Sequence, residues 1–200
     1  MILRKATLAV ALTILLVGAV PARAQDEAVA AVEQVVAAAH EQLDQTLYYD
    51  PAYRRLTYPG GDVPLDRGVC TDVIIRAFRK ADVDLQVLVH QDMKAAFSAY
   101  PQHWGLTRPD PNIDHRRVPN LMRFFERKNK ALPLSRDPAG YLPGDVVAWR
   151  LPGGRLHIGI VSTVRATNAR RYLLVHNIGA GAKLEDILFA YEIIGHYRYF

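Results

Sequence analysis

The sequence predicts an α+β fold, in which helices in the first half of the chain pack on a small antiparallel sheet in the second half. Two observations lead to this class. Apolar residues recur at helical spacing up to about residue 129, and β-branched and aromatic residues dominate four short runs after residue 144. Short, turn-rich links separate these runs, and short links favour antiparallel neighbours. Helices followed by strands are typical of α+β proteins.

The first 24 residues have the composition of an export signal. Two basic residues precede an apolar run over 6–20, and the sequence Ala-Arg-Ala at 22–24 has the small residues that signal peptidase requires. We therefore expect a signal peptide over 1–24, with cleavage after Ala24 and a periplasmic or secreted product that keeps no stable membrane anchor. An uncleaved N-terminal anchor is the alternative.

Residues 25–200 are expected to form one domain, because their length suits a single hydrophobic core. The formal net charge of +5 falls to +2 without the three basic residues of the signal, so charge gives no argument for a nucleic acid partner. The chain contains no GxxxxGK phosphate loop and no CxxC or HExxH ligand spacing. We predict no cofactor, no metal and no nucleic acid.

Four helices and four strands are predicted along the chain. Apolar residues at helical spacing place helices over 26–47, 70–81, 89–99 and 119–129. Residues typical of strands occur in the runs 145–149, 155–164, 171–178 and 192–200. The helix over 70–81 is the most apolar of the four, and we expect it to lie against the sheet.

Cys70 is the only cysteine of the chain, so it has no intramolecular disulfide partner. A small buried apolar residue is the simplest interpretation of a lone cysteine. However, Cys70 falls in the first turn of a predicted helix, where the helix dipole and free N–H groups stabilise a thiolate and lower its pKa. This position favours a nucleophile over a structural residue.

A nucleophilic cysteine needs a base, and the base needs a residue that orients it. Of the seven histidines, only His157 and His176 lie in the most apolar strand-like runs. If these two strands form a hairpin, the two rings lie side by side. One ring can then face Cys70 and pair with its thiolate, while the other orients it. Asn177 is an alternative orienting residue, but a strand turns residues 176 and 177 to opposite faces.

The order of several motifs resembles the NlpC-type cell-wall cysteine peptidases, a compact papain-like family. The motifs lie between Tyr58 and Gly179 and read TYPGGDVPLDRGVCTD, YLPGDVVAWR, LHIGIV and LLVHNIG. The phrases CTDVIIRAFR, DLQVLVHQDM, IDHRRVPNL and EDILF also resemble an uncharacterised family of bacterial exported proteins that has been grouped with that superfamily. The resemblance implies a papain-like fold with Cys70 as the nucleophile and His157 as the general base. It also implies that His176 fixes the base and that Tyr58 lines the site.

The function that the resemblance implies is hydrolysis of amide bonds, with peptidoglycan stem peptides as substrates. The same three residues can also support acyl transfer or ester hydrolysis. A non-catalytic cell-wall-binding protein on the same scaffold is the alternative from another class.

The chain departs from the peptidase pattern at two places. It has Val-Cys-Thr-Asp where those peptidases have Asp-Cys-Ser-Gly, and it carries an additional segment over 82–117. Within this region Arg116 and Arg117, together with Asp72, are predicted to contact the substrate, since guanidinium groups bind carboxylates. The alternative is that ion pairs close the segment onto the domain, with Asp72 as the partner of one arginine. Asp72 is also spaced to form a surface pair with Arg76.

Overall fold

The computed structural model describes residues 22–167 and 170–200, so most of the predicted signal peptide lies outside the described residues. Its mixed architecture confirms the α+β class. Four α-helices precede the main sheet in the chain: α1 (Ala22–Glu41), α2 (Cys70–Lys80), α3 (Leu85–Ala95) and α4 (Val118–Arg127). A short parallel pair precedes α2: β1 (Tyr48–Tyr49) and β2 (Arg67–Gly68). The main sheet contains β3 (Val146–Arg150), β4 (Leu156–Arg165), β5 (Tyr172–Asn177), β6 (Ala182–Glu185) and β7 (Glu192–Tyr197).

The main sheet has five strands in the order β6-β5-β4-β3-β7, and every neighbouring pair is antiparallel. The sequence prediction lacked β6, whose four residues are too short to show a clear alternation. Helix α3 begins at Leu85 rather than at residue 89, because the Asp84 carboxylate accepts a hydrogen bond from the Gln86 N–H and caps it. No helix within the described residues has the length and apolarity that spanning a membrane requires.

Helix α2 is fixed against the centre of the sheet by its apolar face. The residues of this contact are fully buried, and they are Val73, Ile74, Ala77 and Phe78 on α2 with Ile158, Ile160 and Val175 on the sheet. Each fully buried aliphatic or aromatic side chain contributes roughly 1.5–3 kcal/mol. The opposite face of the sheet carries a second apolar cluster around Trp149 and Tyr141. This packing fixes the position of Cys70, the first residue of α2, relative to β4.

Candidate active site

Cys70 is the first residue of α2, as the sequence predicts, and its side chain is buried. Burial raises the pKa of the Cys70 thiol to about 12, although the backbone N–H groups of Ile158 and Thr71 act in the opposite direction. The expectation of a lowered pKa is therefore wrong for this state of the protein. Desolvation of a thiolate costs more free energy than a few backbone dipoles restore by stabilising it.

His157 and His176 meet as the hairpin prediction requires. Strands β4 and β5 pair with Gly159 opposite His176, which places His157 diagonally across from it. His157 Nε2 lies 3.1 Å from His176 Nδ1, and the two rings are nearly perpendicular. Asn177 does not compete for this position, because its Nδ2 donates to the carbonyl of Gly68 at 3.1 Å.

Close packing around His157 fixes its ring. The indole of Trp149 stacks on it with ring centroids 5.7 Å apart. Gly159 allows this arrangement, since a Cβ at this position would lie 3.1 Å from the Cβ of His176 and 3.0 Å from the carbonyl oxygen of Val175. Burial, and then the neighbouring His176, lower the pKa of His157 to about 3. Both His157 and Cys70 are consequently uncharged at neutral pH.

Glu185 extends the histidine pair, and the sequence prediction missed it. Its Oε2 lies 2.9 Å from His176 Nε2, but off the direction of a well-formed hydrogen bond. The carboxylate side chain is about half exposed, at 49%. It lies on β6, so it could not be found without the pairing of β5 with β6.

Cys70 approaches β4 from the helix side of the sheet. Side chains alternate along a strand, so Ile158 points into the core beneath α2 while His157 points to the face that carries Trp149. The thiol contacts β4 at the backbone N–H of Ile158, the residue directly after His157. The hydrogen bonds of the described residues include none between Cys70 and His157. The expected thiolate–imidazolium pair is therefore not preformed.

A cavity of about 220 Å³ opens beside Cys70. It is lined by Tyr49, Pro51, Val69, Cys70, Ile113, Arg116, Arg117, Val118 and Leu156. The tyrosine of this cavity is Tyr49, and burial followed by the neighbouring Cys70 raises its pKa. Tyr58, the predicted tyrosine of the site, is absent from this lining; its exposed ring packs edge-on against His90 of α3 with centroids 5.2 Å apart.

Asp72 and Arg116 bind each other rather than facing an open surface. Arg116 Nε and Nη2 donate to the two oxygens of Asp72, each at 2.8 Å, and both side chains are buried. This is the ion-pair alternative, and it leaves neither group free for a substrate carboxylate. The predicted surface pair between Asp72 and Arg76 is wrong, because Arg76 instead binds Asp62 at 2.8 Å.

Arg117 is the arginine that remains available at the cavity. Its guanidinium lies over the ring of Trp104, 3.9 Å from the centroid, and its Nη1 is 3.3 Å from Asp114. Stacking on an aromatic face leaves the edge donors of a guanidinium free to bind an anion. Both arginines line the cavity, but the Arg116 guanidinium is bound to Asp72, whereas the Arg117 guanidinium keeps donors available for a ligand.

The fold and this site define an α+β protein with a cysteine at a helix start and a buried histidine pair on the adjoining strands. A family model described as "Domain of unknown function (DUF1287)" matches residues 36–199, and the chain belongs to that family. The chain is also similar to "Uncharacterized protein YijF" of Escherichia coli (strain K12), with 58% identity over 162 residues. This match covers 81% of the chain and 78% of that protein. The expected membership of an uncharacterised family is confirmed.

Proposed function

We propose that this protein is an exported thiol hydrolase of papain-like architecture that cleaves amide bonds in peptidoglycan stem peptides. One observation carries the proposal: Cys70 begins α2, lines a cavity, and contacts β4 next to the buried His157–His176 pair. A thiol, a base and an orienting group are the set that nucleophilic catalysis requires. The reaction and the substrate class rest on the resemblance to the NlpC-type peptidases, and export rests on the signal-like residues 1–24.

The arrangement of protons suits a general base. The Glu185 carboxylate beside His176 Nε2 favours a proton on that nitrogen, which leaves His176 Nδ1 as an acceptor. His157 Nε2 then donates to His176 Nδ1 across 3.1 Å. The lone pair of His157 is consequently on Nδ1, the nitrogen that is free of His176 and can accept the thiol proton.

In the proposed reaction Cys70 is a neutral thiol until substrate binds. Cys70 and His157 lie on opposite faces of β4, so the proposed reaction requires β4 to shift when substrate binds. His157 Nδ1 then accepts the thiol proton while sulfur attacks the carbonyl carbon, which forms an S–C bond and an oxyanion. Backbone N–H groups at the start of α2 stabilise that oxyanion. The C–N bond then breaks as His157 returns the proton to the amine. Water attacks the resulting thioester with His157 again as the base, and the thiol is restored.

The cavity suggests how a substrate is held. At about 220 Å³ it is smaller than cavities that enclose whole small-molecule ligands, so it suits one residue beside the scissile bond. Arg117 lies in its lining and is the candidate for binding a substrate carboxylate. We expect the rest of the peptide to lie over the exposed rings of Tyr49 and Trp104.

Replacement of Cys70 tests the function directly. Cys70→Ala and Cys70→Ser should abolish release of new amino groups from purified peptidoglycan fragments, while thermal unfolding shows that the fold is kept. Mass spectrometry of the products separates hydrolysis from acyl transfer, since only acyl transfer joins the acyl group to an added amine. Full activity in the Cys70→Ala variant would contradict the proposal.

A second candidate is a non-catalytic cell-wall-binding protein on the same scaffold. The raised pKa of the Cys70 thiol and its lack of a hydrogen bond to His157 in the described structure favour this candidate. It predicts that the wild-type protein and Cys70→Ala bind intact peptidoglycan equally well, and that the wild-type protein releases no products.

A further inference from the structure

The first turn of α2 is tied to the additional segment 82–117 through two side chains. The Asp72 carboxylate accepts a hydrogen bond at 2.7 Å from the N–H of Val69, the residue before Cys70. The same carboxylate accepts both hydrogen bonds of the Arg116 guanidinium. Both side chains are nearly inaccessible to solvent, at 4% and 2% exposure. A buried, bidentate pair of this kind restricts its neighbours far more than a surface ion pair does.

The remaining bonds of this pair also converge on Cys70. Thr71, the residue after Cys70, donates its hydroxyl to the carbonyl of Arg116 at 2.9 Å. Arg116 donates further to the carbonyls of Ala52 and Asp50, in the loop that follows the cavity residue Tyr49. Val69 and Thr71, on the two sides of Cys70, are thus bound to Asp72 and to the backbone of Arg116 respectively, and the Arg116 side chain also holds a wall of the cavity.

Close packing limits any movement of this pair. Gly68 precedes Val69, and a Cβ at position 68 would lie 2.9 Å from the Asp72 carboxylate. Position 68 therefore favours glycine for a steric reason rather than for an unusual backbone conformation.

The pair also balances charge beside the thiol. The charged or titratable groups that face Cys70 are Asp72 on its own helix and Tyr49, Arg116 and Arg117 around the cavity, whereas His157 points to the other face of β4. Among these groups, Asp72 and Arg116 carry opposite charges and bind each other directly. Burial is the main cause of the raised pKa of Cys70, the Asp72 carboxylate raises this pKa further, and a cation bound to Asp72 offsets the second effect.

We infer that Asp72 and Arg116 are positioning residues for Cys70. They fix the turn that presents the thiol to the cavity, and the Arg116 guanidinium neutralises the Asp72 carboxylate in that turn. The segment 82–117 serves the site through Arg116. This inference deepens the proposed function and rests on it.

The test measures the pH dependence of Cys70 alkylation by iodoacetamide in the full chain, followed by mass spectrometry. Asp72→Asn leaves an unpaired guanidinium near the thiol, so thiolate should form at lower pH and the rate at pH 8 should rise. Arg116→Gln leaves an unpaired carboxylate, so thiolate should form at higher pH and the rate should fall. We expect the two variants to differ at least about tenfold at pH 8. The double variant Asp72→Asn/Arg116→Gln should lie close to the wild-type protein.

A distant ion pair supplies the control. Asp92 of α3 binds Arg127 and Lys128 at the end of α4, and it is also largely buried. Asp92→Asn should lower stability without changing the pH dependence of Cys70. A merely structural role for Asp72 and Arg116 predicts that both single variants shift alkylation in the same direction, as partial unfolding exposes the thiol. That result, or shifts no larger than in Asp92→Asn, would overturn the inference.

Two charge-balanced variants cover the case in which a single variant does not fold. Arg116→Lys keeps the charge but loses the bidentate geometry, so the alkylation midpoint should stay near wild type while the kcat of hydrolysis falls at unchanged KM. A shifted midpoint in both Arg116→Lys and the double variant would contradict the inference.

Alkylation of Cys70 requires no substrate, so its pH dependence can be measured whether or not the protein is a hydrolase. Inactive wild-type protein with opposite shifts would refute the hydrolase alone, whereas unshifted variants of an active enzyme would refute the positioning pair alone.

Discussion

Two buried histidine clusters lie on the same sheet and differ in how they handle charge. In the first, His196 Nε2 lies 2.8 Å from Asp145, whose two oxygens also accept hydrogen bonds from Arg198. In the second, the one side-chain hydrogen-bond partner of His157 among residues 22–167 and 170–200 is the neutral His176. Each histidine stacks on an aromatic ring, so packing alone does not distinguish them.

The difference indicates which cluster stabilises the fold and which one is available for chemistry. Asp145 is saturated by a guanidinium, an imidazole and the N–H of Leu142, so its removal leaves buried partners unpaired. The His157 ring is held in place but carries no charge, and one of its nitrogens is free of His176. It can therefore gain a proton during a reaction without first breaking an ion pair. A buried histidine paired with a neutral imidazole differs in this respect from a buried histidine paired with a carboxylate.

The largest effect should separate these two histidines. His157→Gln should lower the rate of amide hydrolysis by about 10²–10⁴-fold, because the general base is lost while the packing volume is largely kept. His196→Gln should instead lower the free energy of unfolding by about 1–3 kcal/mol, with kcat unchanged in the folded fraction. Hydrolysis rates and urea unfolding on the same two samples check both statements. A collapse of kcat in His196→Gln, or none in His157→Gln, would remove the proposed division between the clusters.

An intermediate effect concerns acid stability. Burial holds the pKa of His157 and of His115 at about 3, whereas an unfolded histidine titrates near its usual value of about 6.5. The unfolded state therefore binds more protons between these values, and the free energy of unfolding falls as pH drops from about 6.5 towards 3. Each such histidine contributes a slope of up to about 1.4 kcal/mol per pH unit.

Urea unfolding at several pH values between 7 and 4 measures this slope. His157→Gln should reduce the slope by roughly the contribution of one histidine. His103 is exposed, and His103→Gln should keep the wild-type slope. Equal slopes in wild type and His157→Gln would show that His157 is already solvated in the native state.

The smallest effect should come from Glu185. Its side chain is half exposed, so Glu185→Gln should lower the hydrolysis rate by less than about fivefold, as expected for a weak, solvent-screened contact with His176. His176→Ala should lower the rate further, because the ring that orients His157 is removed. Rates at saturating substrate compare the two variants. An effect of Glu185→Gln as large as that of His176→Ala would mean that the Glu185 carboxylate is as important for orienting His157 as the His176 ring is.

Features with a regular period could be predicted from the sequence. The apolar stripe of α2 places Cys70 at a helix start, and the alternation in LHIGIV and LLVHNI predicts the hairpin that brings His157 and His176 together. Short elements and helix ends could not be predicted as well. Strand β6 has four residues, and α3 begins where the Asp84 side chain caps it. Glu185 was consequently missed.

The partners of charged residues were the least predictable. Asp72 is spaced to pair with Arg76 on its own helix, yet it binds Arg116 of a segment more than forty residues away in the chain. Tyr58 precedes the cysteine within the resembling motif, yet Tyr49 lines the cavity. Sequence spacing identifies neighbours on one element, whereas long side chains choose among all groups that the fold brings near.

The sequence by itself determined the α+β class, the helix that begins at Cys70 and the pairing of His157 with His176. These depend on periodicity and on short links, which are local properties of the chain. Only the tertiary structure decided that Asp72 and Arg116 form a buried pair beside Cys70 and that the thiol is uncharged. The physical reason is that charge pairing and desolvation depend on everything packed around a group, and those neighbours come from distant parts of the chain.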